Sequence, residues 1–160
     1  MANQDKPAGL TPHGRLLRSR IYVAGSTVYP GDAVTLATDG QVDAASTGIL
    51  IGVAMHKATS GQNVVIADDP NQLFEVQADD ALAVTDVGLN AALQGHGSPN
   101  TTYNRSGMEL DSSTAAATAT LAVQILGFST EANNTANAAN NNVIVRINTH
   151  QLGTLGVLGI

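Results

Sequence analysis

The sequence predicts a mainly β protein: compact barrel- or sandwich-like units with one short helix, an extended N-terminal arm and a C-terminal tail. Three observations carry this expectation. From Ile21 onward the apolar residues fall in short runs rich in Val, Ile and Thr, the length and composition of strands. Those runs are bounded by Gly, Asp, Asn and Pro, the residues that set turns. The chain has 160 residues and no cysteine, and folding at that length buries about two-thirds of the unfolded surface, so no disulfide is needed to hold a core.

Residues 1–20 read as the arm. They hold Lys6, Arg15, Arg18 and Arg20, more than half of the seven basic residues, among prolines and glycines with little periodic apolar pattern. Arg15-Leu16-Leu17-Arg18-Ser19-Arg20 is a basic stretch around an apolar pair, suited to crossing an acidic neighbour while anchoring in a shallow pocket. The arm is expected to be separable, so that removing residues 1–20 leaves the fold intact.

Residues 21–150 form the β-rich domain, whose halves, 21–80 and 81–150, either share one core or hold one each. Tyr29-Pro30-Gly31-Asp32 is a turn, because Pro30 presets φ and Gly31 accepts positive φ. Ala33 to Ala37 alternates as a strand, Asp39-Gly40 closes a hairpin and Gln41 starts the return. Ile49 to Ala54 is apolar throughout and predicts a strand buried on both faces. Asn63 to Ala67 and Leu73 to Ala78 continue the pattern, the latter with either Leu73 or Phe74 inward. Thr85 to Leu93 is the helical segment, with Thr85 or Asp86 as cap and Val87, Leu89, Ala91 and Leu93 as its apolar residues. Met108 to Asp111 resumes the strand pattern. Ser112 to Thr120 reads as a loop with at most one helical turn, and Leu121 to Phe128 and Val143 to Asn148 are the last strands. The tail, 151–160, sets glycines at 153, 156 and 159 among apolar residues, and such a tail is expected to be covered, most simply by a second copy through Leu152, Leu155, Val157, Leu158 and Ile160.

Charge narrows the function. Only 12% of residues are charged and the net charge is −6, against roughly 25% charged in an ordinary domain. Ala, Thr, Ser, Asn, Gln and Gly take their place. These side chains leave water at much lower cost than ions, so the surface is suited to burial against other protein. Seven basic residues and 3% aromatics supply neither the phosphate neutralisation nor the stacking faces of a nucleic-acid binder. The first twenty residues lack the apolar core of a signal peptide, and no run is long enough to span a bilayer; synthesis in the cytoplasm and no membrane partner are expected.

The residues capable of chemistry do not assemble into a familiar motif. His13, His56, His96 and His150 lack metal-binding spacing, and no nucleophile elbow or phosphate loop occurs. Asp68-Asp69 and Asp79-Asp80 could serve as calcium ligands or as the carboxylates of a hydrolase, but neighbours on a strand point to opposite faces. Asp68-Asp69-Pro70-Asn71 can instead be a turn whose carboxylates hold backbone amides. The sequence therefore predicts no enzyme, metal or cofactor.

Several phrases taken in order carry a likeness: Pro30-Gly31-Asp32 before a strand, Ile51-Gly52-Val53-Ala54, Gly61 to Ile66, Phe74 to Asp79, Thr85 to Ala91, and Val143 to His150. From Val28 to Leu152 the chain resembles the head decoration, or cement, proteins of tailed bacteriophages. That resemblance implies a β-rich structural protein without catalysis. It would bind the outer surface of the capsid lattice, commonly as a homotrimer, and stabilise the virion by bridging major capsid protein subunits. The arm residues Arg15, Leu16, Leu17, Arg18 and Arg20 are the candidate capsid contacts. The alternative is a carbohydrate-binding or adhesive β module displayed on the virion, for which the aromatic candidates are Tyr22, Tyr29, Phe74, Tyr103 and Phe128.

Overall fold

A computed structural model describes residues 3–153. Among the described residues eleven strands are formed: β1 (Thr11–Pro12), β2 (Ser19–Ala24), β3 (Ala33–Leu36), β4 (Gln41–Ala44), β5 (Gly52–Ala54), β6 (Asn63–Ala67), β7 (Leu73–Gln77), β8 (Asn90–Gln94), β9 (Glu109–Ala116), β10 (Val123–Phe128) and β11 (Asn142–Ile147). Strands β2 to β6 close a barrel in the order β2-β4-β3-β5-β6, and the others form a six-stranded sheet, β1-β7-β11-β10-β8-β9. The protein is thus mainly β. The barrel is sealed by β2, which pairs antiparallel with β6 and parallel with β4.

Local chemistry explains the turns. At Tyr29-Pro30-Gly31-Asp32, Gly31 sits at φ 93° and the Asp32 carboxylate accepts the Tyr29 N–H at 2.8 Å. In the β3–β4 hairpin Asp39 Oδ1 accepts the Gln41 N–H at 3.0 Å, and the Ala37 N–H donates to the Gln41 carbonyl at 2.8 Å.

The two bodies share packing. Val34, Val42, Ile51, Val64 and Ile66 fill the barrel. A second cluster centred on Phe74, Leu110, Val123, Val143 and Val145 of the sheet also contains Ala33, Leu50, Val53 and Ala67 from the barrel half. The apolar run Ile49 to Ala54 is strand only at Gly52–Ala54 and leaves Ile49 exposed, against the expectation of a strand buried throughout; its buried residues divide, Ile51 and Ala54 entering the barrel core and Leu50 and Val53 the second. Phe74 and Val76 point inward from β7, and Val143, Val145 and Ile147 do so from β11, the period-two alternation of a sheet with one buried face.

Four further expectations need correction. Thr85 to Leu93 is not a helix. A single 3-10 turn at Val84–Asp86, held by Asp86 Oδ2 accepting the Ala83 N–H at 2.7 Å, gives way to Gly88 at φ 95° and then to β8. Leu89, Ala91 and Leu93 are spaced by two as well as by near-helical intervals, and pairing of β8 with β9 and β10 decides between the readings. Ser112 to Thr120 is strand as far as Ala116, because hydroxyls repair an irregular ladder: Thr114 Oγ1 accepts the Ala92 N–H at 2.8 Å. The chain leaves the barrel at residues 68–72 rather than at residue 80, since β7 belongs to the second sheet. Finally, the N-terminal segment is extended but not separable. Leu10 is buried in the shared core, Thr11 and Pro12 pair with Glu75 and Phe74, and Ser19 and Arg20 already belong to β2. Removing residues 1–20 would strip all of these.

Candidate functional site

The arm residues singled out from sequence converge on the turn that links barrel to sheet. Asp68, the first residue after β6, has a fully enclosed side chain. Its Oδ1 accepts from Arg18 Nε at 3.0 Å, and its Oδ2 accepts from Arg20 Nε at 2.6 Å and from the Tyr22 hydroxyl at 2.8 Å. Arg18 Nη2 also reaches the Asp68 carbonyl at 2.9 Å. Residues 18, 20 and 22 can meet one carboxylate because successive side chains of an extended segment alternate between faces.

Burial pushes the Asp68 carboxyl up, but the hydrogen bonds from Tyr22, Arg18 and Arg20 and the charge of Arg18 outweigh it, leaving its pKa below the ordinary carboxylate value. Tyr22 is raised by its own burial and then by the hydrogen bond and charge of Asp68. Asp68 is therefore an ionised anchor. Arg18 and Arg20, two of the three arginines expected to face a partner, are turned onto the protein's own body.

The same alternation exposes the opposite face. Leu17, Ile21 and Val23 are 51%, 68% and 39% exposed, and Leu16, ahead of β2, is exposed as well. The approach to β2 is braced by the buried amide of Gln72, whose Oε1 accepts the Leu17 N–H at 2.8 Å and whose Nε2 donates to the Arg15 carbonyl at 3.3 Å. Arg15 itself is exposed and, among the described residues, forms no ion pair. The result is an apolar strip held in a fixed backbone conformation.

The start of the C-terminal tail borders the same turn. A Cβ on Gly153 would lie 3.0 Å from Pro70 Cβ. His150 is buried and its Nδ1 accepts the Leu152 N–H at 3.0 Å. Burial pulls the His150 pKa down, so the ring is neutral. Leu152 and Ile49 are exposed on adjoining segments, the 149–151 backbone being paired to Leu50. Leu155, Val157, Leu158 and Ile160 lie outside the described residues.

The remaining carboxylate candidates hold backbone. Asp69 Oδ1 accepts the Asn71 N–H at 2.8 Å, Asp79 Oδ1 accepts the N–H and hydroxyl of Ser112 at 2.9 and 2.8 Å, and Asp80 Oδ1 accepts the Ala81 N–H at 2.8 Å. His13 lies 3.6 Å from Glu75, His56 Nε2 accepts the Val65 N–H at 3.1 Å, and His96 is exposed in its turn. Among the described residues no three His, Cys, Asp or Glu side chains are grouped to hold a metal, and no helix is long and apolar enough to cross a membrane.

Sequence reasoning missed Gln72, and it singled out Tyr22 only as an aromatic candidate and His150 only as a histidine without metal-binding spacing. The spacing of Arg18, Arg20 and Tyr22 by two at the start of a strand was the available signal for a shared partner. No family model matches the chain, and no curated protein matches it.

Proposed function

We propose that this protein is a structural component of a phage virion that binds the outer capsid surface and stabilises the shell by bridging major capsid protein subunits as a homotrimer. The observation that carries the reading is the apolar strip of Leu17, Ile21 and Val23, fixed from behind by Asp68 and Gln72, with Leu16 exposed ahead of it. Such a strip contributes binding energy without first losing backbone freedom. The scarcity of ions across the chain and the likeness to decoration proteins point the same way.

On this reading the contact is chiefly apolar, with Arg15 available to join it, because Arg18 and Arg20 are held by Asp68. Three copies joined by their tails would engage three capsid subunits at once, and avidity multiplies modest individual contacts. The carbohydrate reading needs an aromatic platform. Tyr103, 71% exposed, is the only largely exposed aromatic side chain among the described residues, and Arg105 lies over its ring.

The test is cosedimentation of the purified chain with expanded empty shells of the major capsid protein. The double variant Leu17→Ser, Ile21→Ser should bind at least about tenfold more weakly, as expected for losing two buried aliphatic contacts. Undiminished binding refutes the strip. Sedimentation equilibrium of the free chain checks the trimer, and a single-chain mass removes that part.

A further inference from the structure

We infer that a cleft at the barrel–sheet junction, walled by Lys6, Tyr103 and Arg105, binds the carboxylates of an acidic peptide segment. The cleft, about 390 Å³, is lined by Asp5, Lys6, Pro7, Asn100, Tyr103 and Arg105. Its wall is a closed loop: Asn100 and Arg105 exchange both backbone hydrogen bonds at 2.9 and 3.1 Å, and the Ser106 N–H ties the loop to the Pro30 carbonyl at 3.0 Å. The Arg105 guanidinium lies over the Tyr103 ring, 5.4 Å from its centroid.

Three cations gather around this loop. Lys57 donates to Asn104 Oδ1 at 2.9 Å and lies over the Tyr29 ring at 5.1 Å. Among the described residues, neither it nor Lys6 nor Arg105 lies within ion-pair distance of a carboxylate. In a chain of net charge −6, this is a local excess of positive charge, three cations against Asp5 in the cleft lining. Arg105 Nε is also buried without a hydrogen-bond partner. The resting guanidinium thus leaves a donor unused, and a small rotation that presents Nε and one Nη to a carboxylate forms the two-pronged pair arginine favours.

One feature selects a carboxylate borne on a peptide. Arg105 also borders a second cleft, about 230 Å³, whose walls include Leu10, Pro12, Pro30 and Met55. An apolar side chain next to an acidic one fits there. The inference does not depend on the partner being a capsid subunit.

The test titrates the full chain with the acetylated, amidated pentapeptide Glu-Glu-Leu-Glu-Glu, following the Arg105 Nε–H resonance by NMR and the affinity by calorimetry. The expected result is saturable binding that moves this resonance. Arg105→Gln should weaken it about tenfold or more, as for loss of a charge-assisted pair, and Lys6→Gln, an exposed change that spares the fold, should weaken it severalfold. Arg146→Gln, which removes a cation on β11 outside the cleft lining, should leave it unchanged. No binding, equal binding of Gln-Gln-Leu-Gln-Gln, equal weakening by Arg146→Gln, or tighter binding of inorganic phosphate would each overturn the inference.

Discussion

Arg20 Nε and Asp68 Oδ2 meet at 2.6 Å across 48 residues of sequence, with Asp68 wholly enclosed and Arg20 half exposed. The asymmetry decides what each contributes. The arginine can return to water, whereas the carboxylate cannot, so Asp68 is the member whose charge needs its partners. Replacing Asp68 with Asn keeps the volume but turns an NH2 donor toward one of the two guanidinium groups, Arg18 on one oxygen or Arg20 on the other. The expected cost is about 2 kcal/mol, within the range for leaving buried polar groups poorly paired. It should appear as a lower urea midpoint at constant slope. Amide exchange should also quicken at Leu17, and an unchanged midpoint would remove Asp68 as an anchor.

The same group sets an acid limb. Asp68 is held below its ordinary pKa of 3.8 in the folded protein. As pH falls, the unfolded chain takes up the proton first, so the stabilisation is complete above that value and is lost through and below it. His150 acts in the same sense at higher pH. Its folded pKa lies below 6.5, so the unfolded ring protonates first and stability declines as pH falls past that point. Urea midpoints measured from pH 7 to 3 should show the gap between wild type and Asp68→Asn narrowing below about pH 4. His150→Gln should flatten the profile just below pH 6.5. Parallel curves would contradict both assignments.

Strand identity was legible wherever one residue spacing dominated, as at Ala33 to Ala37 and Val143 to Asn148, and at turns fixed by Pro30-Gly31-Asp32 and Asp39-Gly40. It failed where two spacings coincided. Leu89, Ala91 and Leu93 suit a helix face or a strand, and the choice is made by β9 and β10. Ser112 to Ala116 lacks the apolar alternation of a strand because its ladder is completed by Asp79, Asp111 and Thr114 side chains. The arm was legible as a basic and apolar stretch. Which of its residues face outward was not, because the answer lies in Asp68 and Gln72, some fifty residues away.

Leu10 ties the N-terminal segment to the fold. It is buried in the cluster that joins barrel and sheet, and its N–H donates to the Gly31 carbonyl at 2.8 Å. Leu10→Ala should cost about 2–5 kcal/mol, the range for emptying a core leucine site. Deletion of residues 1–20 should cost far more, since it also takes β1, the start of β2 and both arginine partners of Asp68. Circular dichroism and thermal melting of the two variants check this. A truncated chain that melts cooperatively near the wild-type temperature would restore the segment to a separable arm.

Gly52 and Gly127 should respond in opposite senses to the same substitution. A Cβ on Gly52 would sit 2.1 Å from the Ala67 carbonyl oxygen and 2.8 Å from Ile66 Cγ2. The obstacle is the backbone of β6, which pairs with β5 through Val53↔Ala67 and Ala54↔Ile66, so no side-chain rotation relieves it. Gly52→Ala must part the two strands and open the barrel seam, at an expected cost of about 3 kcal/mol or more. Gly127 lies at the irregularity in β10, has no left-handed φ and would place its Cβ in open space. There alanine chiefly restricts the unfolded chain, and a gain of about 0.4–1 kcal/mol is expected. Paired urea titrations check both, and a Gly52→Ala protein as stable as wild type would show that the β5–β6 seam is not closed as described.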